Sequence, residues 1–321
     1  MSIKSELLAV LTAHKGECVS GEKIGEQLHC TRAAVWKAVK ALREEGYTIL
    51  SGTNRGYVLT ETSESLSTDG IRARLKNKDV PVTVLEVTAS TNRAAKQAGI
   101  GENAPHGTVI AARCQTEGSG RRGRSFFSPA ESGIYFTVVL RSKKDVQDSL
   151  LLTTAAAVAA VRGVEEICGR ALSIKWMNDL YLDGKKVGGI LTEAVTDFES
   201  GAIEFVVVGI GLNLYEPENG FPKELQEKAG AILPKETPTD RNALIAAVVN
   251  ALLEEAEKET ISPLYRERNI VPGHRVTVVT SHREYDAQAV EILADGRLVV
   301  RDEKGRQECL AFGDVSLKVK P

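Results

Sequence analysis

Residues 115–127 read QTEGSGRRGRSFF, and within them Gly118, Gly120 and Gly123 stand in the pattern G-x-G-x-x-G. Three guanidinium groups, on Arg121, Arg122 and Arg124, share the loop. A dinucleotide turn needs the third glycine to open a helix facing pyrophosphate, and a carboxylate about twenty residues further on for the ribose. A strand, GTVIAAR (107–113), does precede the loop, but RSFFSPAESGIYF follows it. Pro129 and the Ser132-Gly133 pair exclude a helix there, and the next strand ends at Leu140-Arg141 without an acid. The dinucleotide chemistry fails. An anion cradle survives: glycines let successive N–H groups converge on one point, and guanidiniums add fixed charge and forked donors for phosphate. Such a loop suits a carboxylate attacking the α-phosphate of ATP, where placed cations offset the repulsion of two anions. On these residues alone, a solvated basic loop or an RNA contact stays open.

Three further runs carry reactive or polar groups: ASTN (89–92), KWMNDLYLDGKKVGGILTE (175–193) and VVVGIGLNL (206–214). The elements needed to position them form a mixed α+β pattern rather than strict βαβ alternation. Strands are expected at 81–87, 107–113, 133–140, 172–176, 187–195 and 204–212, with long helices at 148–168 and 240–258. After Pro272 five short strands separated by ADG, EKG and similar turns suggest a small β-barrel of the SH3 type.

At the other end, Ile3, Leu7, Leu8 and Leu11 mark one helix, and Ser20 and Thr31 are caps for two more. In the third helix Val35, Val39 and Leu42 form an inward stripe, while Arg32, Trp36, Lys37, Lys40 and Arg43 lie on other faces. The hairpin YTIL-SGTNRG-YVLT follows, with Arg55 near its tip, and completes a winged helix-turn-helix. Its third helix would enter the major groove while Arg55 reaches the backbone or minor groove. Helix spacing and wing together favour DNA binding over a merely solvated basic face.

The segment CQTEGSGRRGR resembles the biotin-binding loop of biotin protein ligases, usually G-R-G-R-R-G-R, and the three other runs follow in the order that family has them. With the winged helix and the small barrel, the match runs nearly end to end and is similar to the bifunctional ligases that also repress biotin-biosynthesis operons. The resemblance implies three domains: a winged helix-turn-helix (1–62), a mixed α/β catalytic domain of class II synthetase type (63–270) and an SH3-like barrel (271–321). It implies biotin and ATP with Mg²⁺ as substrates and biotinyl-5′-AMP as the intermediate. Carboxyl carrier or carboxylase acceptor domains, operator DNA and a ligand-linked homodimer are the implied partners.

By the same resemblance Ser90, Thr91, Asn92, Gln115, Gly118, Arg121, Lys186, Gly189 and Gly209 contact biotin or its adenylate, and Lys186 and Arg121 are the catalytic pair. Arg122, Arg124, Asn178, Asp179, Asn213 and Phe221 fall to the nucleotide. Asp179 either helps hold Mg²⁺ with the phosphates or orients a neighbour. One hydroxyl of Ser90-Thr91 could instead only cap the following helix. Two departures from the family pattern stand out: Ser119 replaces an arginine and Met177 replaces the proline of K-W-P-N-D.

Composition agrees with an enzyme that touches DNA locally. The chain has 321 residues and a net charge of −2, yet residues 1–60 hold eight Lys/Arg against six Asp/Glu, a local +2. Five scattered cysteines without C-x-x-C and five unpaired histidines give no dedicated metal site. The first apolar patch is too short and too charged for a signal peptide or a membrane span, so a cytoplasmic protein is expected. Two rivals remain: a ligand-sensing transcription factor without catalysis, and a ligase for another acyl acid such as lipoate. Polar Ser90, Thr91 and Gln115 suit biotin's ureido ring better than a dithiolane.

Overall fold

The computed structural model describes residues 2–52, 56–61, 66–141, 149–196, 202–235, 237–280, 283–311 and 316–319. Helices α1 (Ile3–Ala13), α2 (Gly21–Gln27) and α3 (Arg32–Glu44) precede the wing strands β1 (Thr48–Gly52) and β2 (Gly56–Glu61). The hydroxyl caps act as the sequence requires: Lys23 N donates to Ser20 Oγ at 3.1 Å, and Ala34 N to Thr31 Oγ1 at 3.2 Å. Helix α3 ends at Gly46, whose φ of +88° favours glycine and lets Tyr47 N return to the Leu42 carbonyl. Val35, Val39 and Leu42 pack with Leu7, Leu8, Leu11 and Ile24 in one core, whereas Ile3 is exposed. Arg55 lies outside the described residues.

Helix α4 (Thr68–Arg72) leads into the central sheet, which comprises seven strands. In chain order these elements are β3 (Val82–Thr88), α5 (Thr91–Gly101), β4 (Val109–Gln115), β5 (Gly133–Leu140), α6 (Ser149–Cys168), β6 (Ser173–Lys175), β7 (Asp179–Leu182), β8 (Lys185–Thr196), β9 (Ile203–Asn213), α7 (Arg241–Glu255) and α8 (Pro263–Glu267). The sheet order is β3-β4-β5-β9-β8-β7-β6, parallel only at β3–β4. Both faces are covered, which explains why all eight residues of β5 are buried. Ile134, Phe136 and Val138 share a core with α6 and α7, while Val139, Phe205 and Val207 pack with Ala95 of α5. The alanine-rich α6 lets α7 come close: a Cβ on Gly163 would fall 2.5 Å from a Val248 methyl.

Strands β10 (Arg275–Val279), β11 (Glu284–Ile292), β12 (Leu298–Asp302), β13 (Gln307–Leu310) and β14 (Ser316–Val319) match the five expected after Pro272. They form one antiparallel sheet in the order β13-β12-β11-β10-β14. Its end strands share no ladder among the described residues, so the expected barrel appears as an open meander with β14 returned to β10. Val276, Val278, Ala289 and Val300 belong to the same buried cluster as the central sheet. Trp176 Nε1 ties the KWMND run to this sheet by donating to the Gly296 carbonyl between β11 and β12 at 2.9 Å, while the Tyr265 hydroxyl of α8 donates to the Met177 carbonyl at 2.9 Å. Among the described residues no helix is long and apolar enough to cross a membrane.

Candidate active site and nucleic-acid interface

A cavity of about 660 Å³ opens on the α5 side of the sheet, between the loop after β4, the start of α5 and strands β7 to β9. One end is neutral and polar. Thr91 N donates to Gln115 Oε1 at 2.9 Å, the Thr91 hydroxyl lies 3.1 Å from the same oxygen, and Gln115 Nε2 donates to Ser128 Oγ at 2.9 Å. Beneath them Thr137 Oγ1 lies 2.8 Å from Thr91 Oγ1 and 2.7 Å from Asn92 Oδ1. Ser90 also lines this end; it precedes α5 but makes no side-chain cap, so the bland reading of its hydroxyl as a cap does not hold. Gly209 is required by its neighbour, since a Cβ there would fall 2.0 Å from Asn92 Oδ1.

The other end is cationic. Arg121, Arg122, Arg124, Lys175, Lys186 and Lys228 line it against a single carboxylate, Asp179. Antiparallel pairing of β7 with β8 sets Asp179 opposite Gly189, and Lys186 Nζ lies 2.5 Å from Asp179 Oδ1. A Cβ on Gly189 would stand 3.5 Å from that amine, at ordinary contact distance. Arg121 Nη1 donates to Asn178 Oδ1 at 3.3 Å, and Asn178 Nδ2 donates to the Ile190 carbonyl at 2.8 Å. Burial pulls the Arg121 pKa down, Asp179 opposes this, and Arg122 and Arg124 reinforce it. Lys175 is lowered in the same way: burial first, Asp179 against it, Lys186 and Arg124 with it. Its ammonium sits 5.7 Å from the Tyr181 ring centroid. So many cations around one acid form a site for a polyanion.

The glycine-arginine loop is a hairpin. Phe126 N donates to the Gly118 carbonyl and Gly120 N to the Arg124 carbonyl, each at 2.7 Å, with Ser119 bridged to Ser125. A 3-10 turn at Arg121–Gly123 forms the tip, where Arg122 takes φ +60°, an uncommon conformation outside glycine.

The model of the Biotin/lipoate A/B protein ligase family matches residues 84–213, and that of an HTH domain matches residues 4–58. The Bifunctional ligase/repressor BirA of Bacillus subtilis is 36% identical over 233 residues, covering 72% of this chain and 71% of its own. The Biotin--[acetyl-CoA-carboxylase] ligase of Mycobacterium tuberculosis is 31% identical over 252 residues, covering 72% of this chain and 87% of its own. The chain belongs to the bifunctional biotin ligase/repressor family. A biotin protein ligase from Aquifex aeolicus, solved in complex with biotin and ATP, shares the fold at TM-score 0.61 and 24% identity, over 75% of this chain and 99% of its own.

Within this family frame, twelve of the expected ligand residues line the one cavity: Ser90, Thr91, Asn92 and Gln115 at the polar end, Gly189 and Gly209 along its floor, and the rest at the cationic end. Three do not line it. Gly118 faces the hairpin, where a Cβ would fall 2.3 Å from the Phe126 carbonyl. Asn213 Nδ2 donates to the Gly230 carbonyl at 3.1 Å, and Phe221 is buried with its carbonyl accepting from Gln226 Nε2. The sequence reading missed Phe126, Lys175, Tyr181 and Lys228. Phe126 and Phe127 alternate, the first inward against Tyr135 (6.4 Å, edge to face) and the second 37% exposed. That alternation was the signal for Phe126; Lys175 opens the KWMND run and Tyr181 stands two residues after it. Among the described residues no group of three or more His, Cys, Asp or Glu could hold a metal.

On α3, Arg32, Lys37 and Lys40 are exposed and Trp36 is 58% exposed, with Lys40 3.9 Å from Glu44 Oε1. Arg43 is used differently. Its guanidinium donates to the Ile49 carbonyl through Nε (2.9 Å) and Nη2 (2.6 Å), and to Ser51 Oγ (3.0 Å), so it braces the wing against α3.

Proposed function

We propose that the protein is a biotin protein ligase that activates biotin with MgATP, transfers it to a carrier lysine, and represses biotin genes in response to the intermediate. The observation that carries this reading is one cavity with a neutral hydrogen-bonding end and a six-cation end around a single acid. Biotin's ureido ring suits the first end, and its carboxylate then meets the α-phosphate at the second.

In the first step a carboxylate oxygen attacks the α-phosphorus, forming the mixed anhydride and expelling pyrophosphate with its electron pair. Lys186 and Arg121 sit where they can bridge the two anions and stabilise charge that grows at phosphorus. Asp179 holds Lys186 in place until phosphate oxygens compete for it, and Mg²⁺ enters as part of the MgATP substrate. In the second step the ε-amine of an acceptor lysine attacks the anhydride carbonyl, AMP leaves, and the amine loses its proton. The acceptor is a carboxyl carrier domain.

Adenylate contacts hold the hairpin tip, offsetting the cost of Arg122 at positive φ, and this ordering is linked to formation of a homodimer that presents two winged helices to a palindromic operator. Exchange of labelled pyrophosphate into ATP tests the chemistry: it should require biotin and fail with lipoate. Exchange without biotin dependence contradicts the ligase reading. A gel shift on the protein's own biotin-gene promoter, strengthened by biotin plus ATP, tests the repressor half; the same affinity in the absence of both ligands contradicts it.

A further inference from the structure

Helix α4 and the residues flanking it belong to two cores at once. Ala73, the C-cap, is buried in the winged-helix cluster with Leu7, Leu8 and Val39, whereas Leu66, Ile71 and Leu75 are buried in the central cluster. Polar contacts hold the same segment from both sides. On the winged side Lys4 Nζ lies 2.9 Å from Asp69 Oδ2, and the Ser5 hydroxyl donates to Asp69 Oδ1. On the catalytic side the Arg113 guanidinium of β4 donates to the Leu66 carbonyl at 2.6 Å, and Val84 N of β3 to Thr68 Oγ1 at 3.2 Å. Arg74 Nη2 donates to Asp240 Oδ2, before α7, at 2.7 Å. The two sides meet at Ser67. Its N–H donates to Oδ1 of Asn242, a fully buried residue of α7, at 2.9 Å. Its Oγ lies 3.3 Å from the hydroxyl of Tyr47, which is 2% exposed and part of the winged core. Gly70 closes the joint: a Cβ there would fall 2.6 Å from Asn242 Cγ and 2.7 Å from the Tyr47 hydroxyl oxygen. Domains move freely across small, wet contacts; apolar burial on both sides of one helix, with buried polar groups paired across it, resists reorientation.

We infer that α4 holds the winged helix at one fixed bearing on the catalytic domain, and that the joint of Gly70, Tyr47 and Asn242 sets the half-site spacing the protein reads on DNA. The inference rests on the proposed homodimer that presents two winged helices to a palindromic operator. Winged helices free to swing would accept half-sites at several separations. With each bearing fixed, the distance and rotation between the two α3 helices follow from the catalytic domains, and only DNA whose half-sites match them binds without distortion.

The test is binding, with biotin and ATP present, to the protein's own biotin-gene promoter and to the same promoter lengthened by two base pairs at the operator centre. The insertion moves the half-sites roughly 7 Å farther apart and turns one by roughly 70° around the duplex. Wild type should bind the native promoter at least about tenfold more tightly, because a rigid pair has to twist and bend the lengthened DNA. Gly70→Ala wedges the joint open and should bring the two affinities within about threefold, with biotin-dependent pyrophosphate exchange unchanged. Lys4→Met, on a partly exposed side chain, should lower the ratio in the same direction even where Gly70→Ala folds poorly. A wild type that binds both promoters alike, or the full ratio kept by Lys4→Met and by any folded Gly70→Ala, overturns the inference while the repressor reading stands. Wild type with no ligand-strengthened binding to the native promoter overturns that reading and the inference with it.

Discussion

Replacing Lys186 with alanine should abolish adenylation and spare the fold. The amine sits 2.5 Å from Asp179 Oδ1 with its side chain 35% exposed, so the ion pair itself stabilises little. Partly exposed pairs contribute about 0–1 kcal/mol. Asp179 is not orphaned by the change, because Arg121 and Lys175 both still feel its charge. The expected loss in Tm is therefore no more than about 2–4 °C for a chain of this size. Catalysis is a different matter. A unit charge about 4 Å from charge developing at phosphorus is worth about 4 kcal/mol at an effective dielectric constant near 20. That corresponds to a rate loss on the order of a thousandfold. The neighbouring lysine is the internal control: Lys185 is exposed, its amine lies 3.5 Å from the Gln226 carbonyl, and its alanine variant should stay within about twofold of wild type. Biotin-dependent pyrophosphate exchange and a thermal melt on the same samples read both quantities. Near-normal exchange by the Lys186 variant, or equal losses at 185 and 186, would refute the reasoning.

Ser119→Arg adds a seventh cation to a cavity that Ser119 already lines, and should lengthen the lifetime of bound adenylate roughly tenfold; an unchanged release rate in a single-turnover chase contradicts it. Arg43→Ala should weaken operator binding without changing its salt dependence, because Arg43 holds the wing rather than a phosphate. Lys37→Ala should instead reduce the salt slope by about one, and a loss of slope at Arg43 would return that residue to the DNA backbone. Asp69 provides a pH test. Burial pushes its carboxyl up, but hydrogen bonds from Lys4 and Ser5 and the Lys4 charge outweigh this and hold it below 3.8. Its stabilisation is thus full above pH 3.8 and lost as pH falls through the lower folded value. The Tm gap between wild type and Asp69→Asn should be constant above about pH 5 and close in acid; a gap independent of pH contradicts the assignment.

Much of this was legible in the sequence wherever one local rule was enough. Ser20 and Thr31 cap their helices, and Val35, Val39 and Leu42 turn inward, because capping and a 3.6-residue period act over a few neighbours. The long apolar strands β5 and β9 announced themselves by composition. Strand β7 did not, since four residues are too few to show alternation. The remaining misses depend on pairing between distant segments. Arg43 has the charge and exposure of a DNA contact, and only the position of β1 diverts it to Ile49. Asn213 looks like a ligand group until Gly230 is seen to take its amide. Turn spacing after Pro272 fixes a series of hairpins but not whether the ends meet, and among the described residues the end strands β13 and β14 share no ladder.

A ligase of this kind makes a biotinyl adenylate and passes the biotin to one lysine. The direct measurement is incubation with biotin, MgATP and a carboxyl carrier domain, followed by intact mass and peptide mapping. One biotinyl group is expected on a single carrier lysine, with none when ATP is withheld or Lys186 is alanine. An unmodified carrier, or a lipoyl adduct formed in preference when both acids are supplied, would contradict it.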